Sequence, residues 1–176
     1  IMNKKFFKYL NKNFLNIFDL KSPYIEKAIY QSCKIKKEIV EKDEKEHGKR
    51  KILNFGHTFA HAYEAALNYS KKLNHGEAVI LGIISALKFS LKNKYIKSHD
   101  YNSIINHINQ LGTSLQINNY FSLKDLKKIV FFMNKDKKNN SNKVNLILLK
   151  NIGTTIVNNH YSSKRIQLFL KNELSN

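Results

Sequence analysis

The chain has 176 residues, 42% of them hydrophobic and 11% aromatic, which suits one domain with a real core and is too apolar for a disordered polypeptide. Thirty-one Lys and Arg against 13 Asp and Glu give a formal charge of +18, a field that attracts nucleic acid, anionic membranes or small anionic substrates. No apolar run reaches the ~20 residues of a membrane helix, Lys8 and Lys12 interrupt any secretion-signal core, and the single Cys33 rules out an internal disulfide.

These features fit a reducing cytoplasm, or a plastid-like compartment whose targeting segment is not in this sequence. The start at Ile1 instead of Met suggests a fragment or a processed product. Lys and Asn are abundant along the whole chain and Lys far outnumbers Arg, a bias that AT-rich coding produces without any partner. The charge is therefore read as serving a small anionic substrate, with no nucleic acid and no membrane among the expected partners.

In chain order, Phe6, Phe7, Leu10, Phe14, Ile17 and Phe18 recur at helical spacing and predict one amphipathic helix over 6–18. Ser22 as N-cap with Pro23 at the first helical position opens a second, running to about Lys42 with Tyr24, Ala28, Ile35 and Ile39 inward. The charged stretch 43–49 reads as a loop. A third helix is expected from near Asn54 to Leu67, then a polar turn over 68–74, and a fourth from about Gly76 to Lys94.

Ser98 caps a fifth helix that Gly112 ends, and Ser122 with Asp125 caps a sixth to about Met133. Residues 134–143 read as a surface loop. Val144 to Leu149 and Thr154 to Val157 are expected to pair as a hairpin turning at Gly153, before a last helix to about Leu174. The fold class is mostly α: one helical domain over 1–176 with a small β-hairpin near the C-terminus.

The chemistry concentrates between Arg50 and Glu77. Arg50, Asn54, His57, His61 and Glu64 are spaced by four, three, four and three, which on one helix makes a single polar stripe opposite Phe55, Phe59, Ala62 and Ala66, with Arg50 at or just before the helix start. Such a stripe is costly to bury unless something pairs with it. His57 and His61 have the i, i+4 spacing by which two imidazoles share a metal ion, though taken alone that spacing is more often a surface accident than a ligand pair, and hydrogen-bonded core histidines are a further reading. His75-Gly76-Glu77 brings a third histidine to the start of the next helix.

Asp43-Glu44-Lys45-Glu46-His47-Gly48-Lys49-Arg50, Leu53-Asn54-Phe55-Gly56-His57-Thr58, His61-Ala62, Glu64-Ala65 and His75-Gly76-Glu77-Ala78-Val79 closely resemble the signature of the 3-dehydroquinate synthase family. So do the segment 32–40 and Asp136-Lys137-Lys138 before the hairpin. Ala60 in place of a usual Gly, Lys37 in place of a common Ala and a lysine-bearing turn at 70–74 are departures. None of them removes a residue that carries chemistry.

The resemblance implies the C-terminal, metal- and substrate-binding domain of an enzyme whose N-terminal NAD-binding α/β domain is not in this chain. It implies conversion of 3-deoxy-D-arabino-heptulosonate 7-phosphate to 3-dehydroquinate with loss of phosphate, in the shikimate pathway of aromatic amino acid biosynthesis, with zinc or a similar divalent metal such as cobalt and with NAD. His57 and His75 are implied as metal ligands, the third being a Glu in a Glu-x-x-Lys segment preceding Ile1, and His61 is implied in the substrate site. Glu46 matches a position near the substrate hydroxyls, Arg50 and Lys36 match carboxylate-binding positions, and Asn54 with Lys137 or Lys138 match phosphate-binding positions.

Glu64, three residues from His61, is read as the partner orienting that ring. A homodimer is expected for the full-length enzyme and little activity for the isolated part. The competing readings are a sugar-phosphate cyclase making another carbocycle, a metal-dependent alcohol dehydrogenase relative, and a basic helical nucleic-acid-binding module.

Overall fold

The computed structural model describes residues 1–46, 48–112, 115–135 and 143–175, with the backbone alone at 158 and 159. The helices are α1 (Lys4–Lys12), α2 (Phe14–Phe18), α3 (Tyr24–Lys42), α4 (His57–Ala66), α5 (His75–Lys92), α6 (Ser98–Asn109), α7 (Leu126–Lys135) and α8 (Ser163–Ser175). A 3₁₀ segment, Lys49–Asn54, precedes α4. Strands β1 (Lys143–Asn151) and β2 (Thr154–Ser162) form an antiparallel pair. The expected architecture, a helical domain with one hairpin near the C-terminus, is the observed one.

The core is built where apolar faces converge. α4 packs on α5 and α7, α5 also meets β1, and α8 lies against α7. Phe59, Tyr63, Leu81, Leu87, Phe89, Ile129, Met133, Leu146, Leu148, Ile166 and Leu170 are almost fully buried there. At ~25 cal/mol per Å² of apolar area, each such side chain contributes roughly 1.5–3 kcal/mol. Polar links fix the register between elements. Tyr63 Oη lies 2.8 Å from Ser85 Oγ, joining α4 to α5, and Leu149 N donates to Ser90 Oγ at 3.2 Å, joining β1 to α5.

The hairpin runs in register from Lys143 opposite Ser162 to Asn151 opposite Thr154, with irregularities at Leu146/Leu148 and Leu149/Asn151. Gly153 makes its turn with φ +100°, a left-handed conformation that glycine adopts without strain. Ser122 N donates to Asp125 Oδ2 at 2.8 Å, the capping arrangement expected ahead of α7.

Four expectations are corrected. The first helix is two, because Asn13 turns its side-chain Nδ2 back to the Tyr9 carbonyl at 2.8 Å and closes α1 there. Pro23 is itself the N-cap of α3, preceded by a turn in which Tyr24 N donates to the Lys21 carbonyl. Lys97, not Ser98, caps α6.

The fourth correction matters for the site. The third helix does not begin at Asn54. Gly56 sits at φ +83° and separates the 3₁₀ segment from α4, so Arg50 and Asn54 do not share one helical stripe with His57, His61 and Glu64.

Candidate metal and substrate site

His57 occupies the first position of α4, with His61 one turn later and Glu64 about one turn beyond it. His75 occupies the first position of α5, which places it beside α4 because the two helices pack together. The ring centroids of His57 and His61 are 5.6 Å apart and those of His57 and His75 are 6.4 Å apart. Two imidazoles sharing one tetrahedral zinc at ~2.1 Å sit with ring centres roughly 5 Å apart, so both separations are within a small side-chain rotation of ligation. Among the described residues no group of three or more His, Cys, Asp or Glu is arranged to hold a metal by itself. The chemistry of the paired imidazole nitrogens fits a divalent metal such as zinc.

Hydrogen bonding distinguishes the three rings. His57 Nδ1 lies 3.4 Å from the Phe55 carbonyl oxygen and His75 Nδ1 lies 3.0 Å from Glu64 Oε1. Carbonyl and carboxylate oxygens only accept, so each contact puts the proton on Nδ1 and the lone pair of the neutral ring on Nε2. Among the described residues none hydrogen-bonds the His61 ring. The expected pairing of Glu64 with His61 is therefore corrected: α4 carries Glu64 toward α5, and its partner is His75.

Ahead of α4, the Asp43 carboxylate gathers the loop. Gly48 N and Arg50 N both donate to Asp43 Oδ2 at 2.8 Å. Asn54 Nδ2 donates to Glu46 Oε1 at 2.6 Å, and Arg50 Nη1 donates to the Glu44 carbonyl at 2.6 Å. A cleft of about 40 Å³ is lined by Lys51, Asn54, His57, Thr58, His61, Asn145 and Ile147. That volume is far below the ~300 Å³ at which small-molecule pockets begin. A bigger cavity of about 520 Å³ lies between α5, α6 and α8 around the Lys88–Glu173 ion pair, and none of the expected site residues lines it.

Asn54, His57 and His61 thus share one cleft, His75 adjoins through His57, and Glu46 joins through Asn54. Arg50 is one residue from the cleft-lining Lys51 but spends one N–H on the Glu44 carbonyl. Lys36 is exposed on α3 and does not line the cleft. Lys137 and Lys138 lie outside the described residues.

Lys51, Thr58, Asn145 and Ile147 were not expected. Thr58 Oγ1 donates to the Asn145 carbonyl at 3.3 Å, clamping β1 to the start of α4 across 87 residues of sequence. No local signal marks Asn145 or Ile147; their place depends on how the hairpin packs on α5.

A family model described as 3-dehydroquinate synthase C-terminal matches residues 1–139. The chain is 57% identical over 175 residues to a 3-dehydroquinate synthase of Pelagibacter ubique (strain HTCC1062), covering 99% of this chain and 48% of that protein. It is 41% identical over 155 residues to a 3-dehydroquinate synthase of Endomicrobium trichonymphae, covering 88% of this chain and 41% of that protein. The chain spans about half the length of the curated relatives it matches.

Its fold is shared with a 2-epi-5-epi-valiolone synthase from Streptomyces hygroscopicus subsp. jinggangensis 5008 solved with NAD+ and Zn2+ bound. The TM-score is 0.80 at 15% identity, over 99% of this chain and 48% of that one. A 2-deoxy-scyllo-inosose synthase complexed with carbaglucose-6-phosphate, NAD+ and Co2+ matches with TM-score 0.57 at 25% identity, over 72% of this chain and 35% of that one. By the match over residues 1–139 and the identity to relatives of that name, the chain belongs to the 3-dehydroquinate synthase family and corresponds to its C-terminal part.

Proposed function

We propose that this chain supplies the metal- and substrate-binding half of an enzyme that converts 3-deoxy-D-arabino-heptulosonate 7-phosphate to 3-dehydroquinate with release of phosphate. The observation that carries the reading is the different treatment of the three histidines. His57 and His75 each have Nδ1 against an oxygen acceptor, which is how metal-ligating histidines are held, and His61, on the other side of the His57 ring contact, does not. Zinc, or cobalt in its place, would supply Lewis acidity toward the substrate hydroxyls, and NAD, bound mainly by the other half, would supply the redox chemistry.

His57 and His75 would hold the metal, together with a carboxylate from outside this chain. His61, not a ligand, moves a proton at the substrate or contacts its phosphate. Glu46 fixes the Asn54 amide, which offers its remaining hydrogen-bonding capacity to phosphate while Glu46 keeps acceptor capacity for substrate hydroxyls. Arg50 is anchored by one N–H on the Glu44 carbonyl and has further N–H groups of its fork for the substrate carboxylate. Lys36 and Lys137 add positive charge for carboxylate and phosphate.

The full-length protein acts in the cytoplasm as a homodimer. The half-length chain is inactive alone, because the third metal donor and most of the NAD contacts lie elsewhere. The test is to supply the full-length enzyme with NAD, zinc and the heptulosonate phosphate, and to follow phosphate and 3-dehydroquinate together. Equimolar appearance of both is expected. Turnover of a substrate lacking the carboxylate at an equal rate would instead assign a cyclase making another carbocycle.

A further inference from the structure

We infer that Glu64 is a positioning residue of the metal site, whose carboxylate fixes His75 in the tautomer and orientation a ligand needs. The inference rests on the reading of His75 as a ligand. His75 is weakly held by its own surroundings: its side chain is 65% exposed, at the first position of a helix and just after the polar turn 68–74. A long-lived ligand geometry at such a place requires an external partner, and Glu64 Oε1 at 3.0 Å is that partner.

Glu64 is well suited to the work. Its side chain is only 13% exposed, on a helix packed against α5 and α7. The choice of partner is also informative. This chain carries 31 Lys and Arg, yet the only ion-pair partner of Glu64 among the described residues is a histidine. A carboxylate beside Nδ1–H holds the ring in one orientation and keeps the Nε2 lone pair facing outward from it. The same α4 therefore supplies one ligand, His57, and aligns a second ligand that α5 supplies.

The test uses the full-length enzyme and reads zinc affinity by competition with a chromophoric chelator, with thermal unfolding of the metal-free proteins alongside. Glu64→Ala is expected to weaken zinc by roughly 10–100-fold, the usual effect of removing such an outer partner. Glu64→Gln keeps the shape and an acceptor but loses the charge, and is expected to weaken zinc by less. In a His75→Ala background, Glu64→Ala is expected to change affinity by no more than about twofold, since a residue acting through His75 has nothing left to act through.

An equal loss from Glu64→Ala with and without His75 would overturn the inference, as would parent affinity in both Glu64 variants while His75→Ala loses zinc. In either case His75 stands as a ligand. Parent affinity in His75→Ala would instead remove the ligand reading itself. Unchanged metal-free unfolding in Glu64→Ala, or in Glu64→Gln where the alanine variant does not fold, separates lost positioning from lost fold.

Discussion

Gly56 and Gly82 lie in backbone contact where α4 begins against the middle of α5. A Cβ on Gly82 would overlap the Gly56 carbonyl oxygen and come 2.9 Å from Ala60 N, and a Cβ on Gly56 would come 2.6 Å from Ile83 N. These atoms are backbone and cannot swing aside. The contact lets α4 and α5 approach closely enough for Glu64 to reach His75 and for the His57 and His75 rings to stand 6.4 Å apart.

Gly82→Ala is accordingly expected to destabilise the fold by roughly 1–3 kcal/mol, the cost of overpacking a close-packed interior. Its metal affinity is expected to fall as well, because the two helices carrying the proposed ligands are pushed apart. Denaturant unfolding and zinc titration of the full-length protein check both. A stable variant with parent zinc affinity would show that the interface gives way locally without moving the histidines.

The two histidines of α4 are expected to fail differently. His57→Ala removes metal and activity together, since no neighbouring apolar atom replaces a lost ligand. His61→Ala keeps zinc at about one per chain, keeps α4 folded because Ala is a strong helix former, and loses turnover by ~10²–10⁴-fold. Elemental analysis and phosphate release make the comparison. Loss of zinc in His61→Ala as complete as in His57→Ala would make the pair simple co-ligands.

The charge of +18 is expected to draw nucleic acid only weakly. Binding of duplex DNA in the non-specific range, Kd ~10⁻⁴–10⁻⁶ M at physiological salt, and steep weakening with added salt are the outcomes of unpatterned lysines. Fluorescence anisotropy with labelled duplexes at two salt concentrations measures this. A salt-resistant, sequence-dependent nanomolar complex would assign the surface to nucleic acid instead.

Acidification is expected to loosen α1 and α2 from α6. The His107 ring stacks edge-on with Phe7 and Phe14, both at 5.4 Å, and its Nδ1 lies 3.1 Å from Asn11 Oδ1. Among the described residues no carboxylate pairs with it, and burial holds its pKa below the ordinary 6.5. The unfolded chain then takes up the proton first as pH falls, so this contribution to stability is complete above about 6.5 and is lost progressively below it. Between pH ~7.5 and ~5.5 the parent should lose more of its unfolding midpoint than His107→Phe, which has no proton to take up. Equal losses would show that His107 adds nothing to the acid sensitivity.

Much of this protein is written locally. The extents of α3, α5 and α8, the cap at Ser122 and the hairpin turn at Gly153 follow from apolar periodicity and turn chemistry, which act over a few residues and need no knowledge of the rest of the chain. The run from Arg50 to Glu77 likewise holds most of the candidate site residues, with Glu46, Lys36 and Lys137 outside it. What local pattern cannot encode is which faces meet. The apparent stripe from Arg50 to Glu64 assumed a continuous helix, whereas Gly56, left-handed at the close contact of α4 with α5, separates the 3₁₀ segment from α4.

Three residues from His61 in sequence, Glu64 turned to His75, 11 residues away, because packing brought α5 to its side of α4. Asn145 and Ile147 entered the cleft only through the packing of the hairpin, 87 residues beyond Thr58. The sequence by itself determined which side chains are available for metal and phosphate chemistry. The tertiary structure alone decided which partner holds each of them, because contacts between elements depend on the shapes of both surfaces and not on spacing along either one.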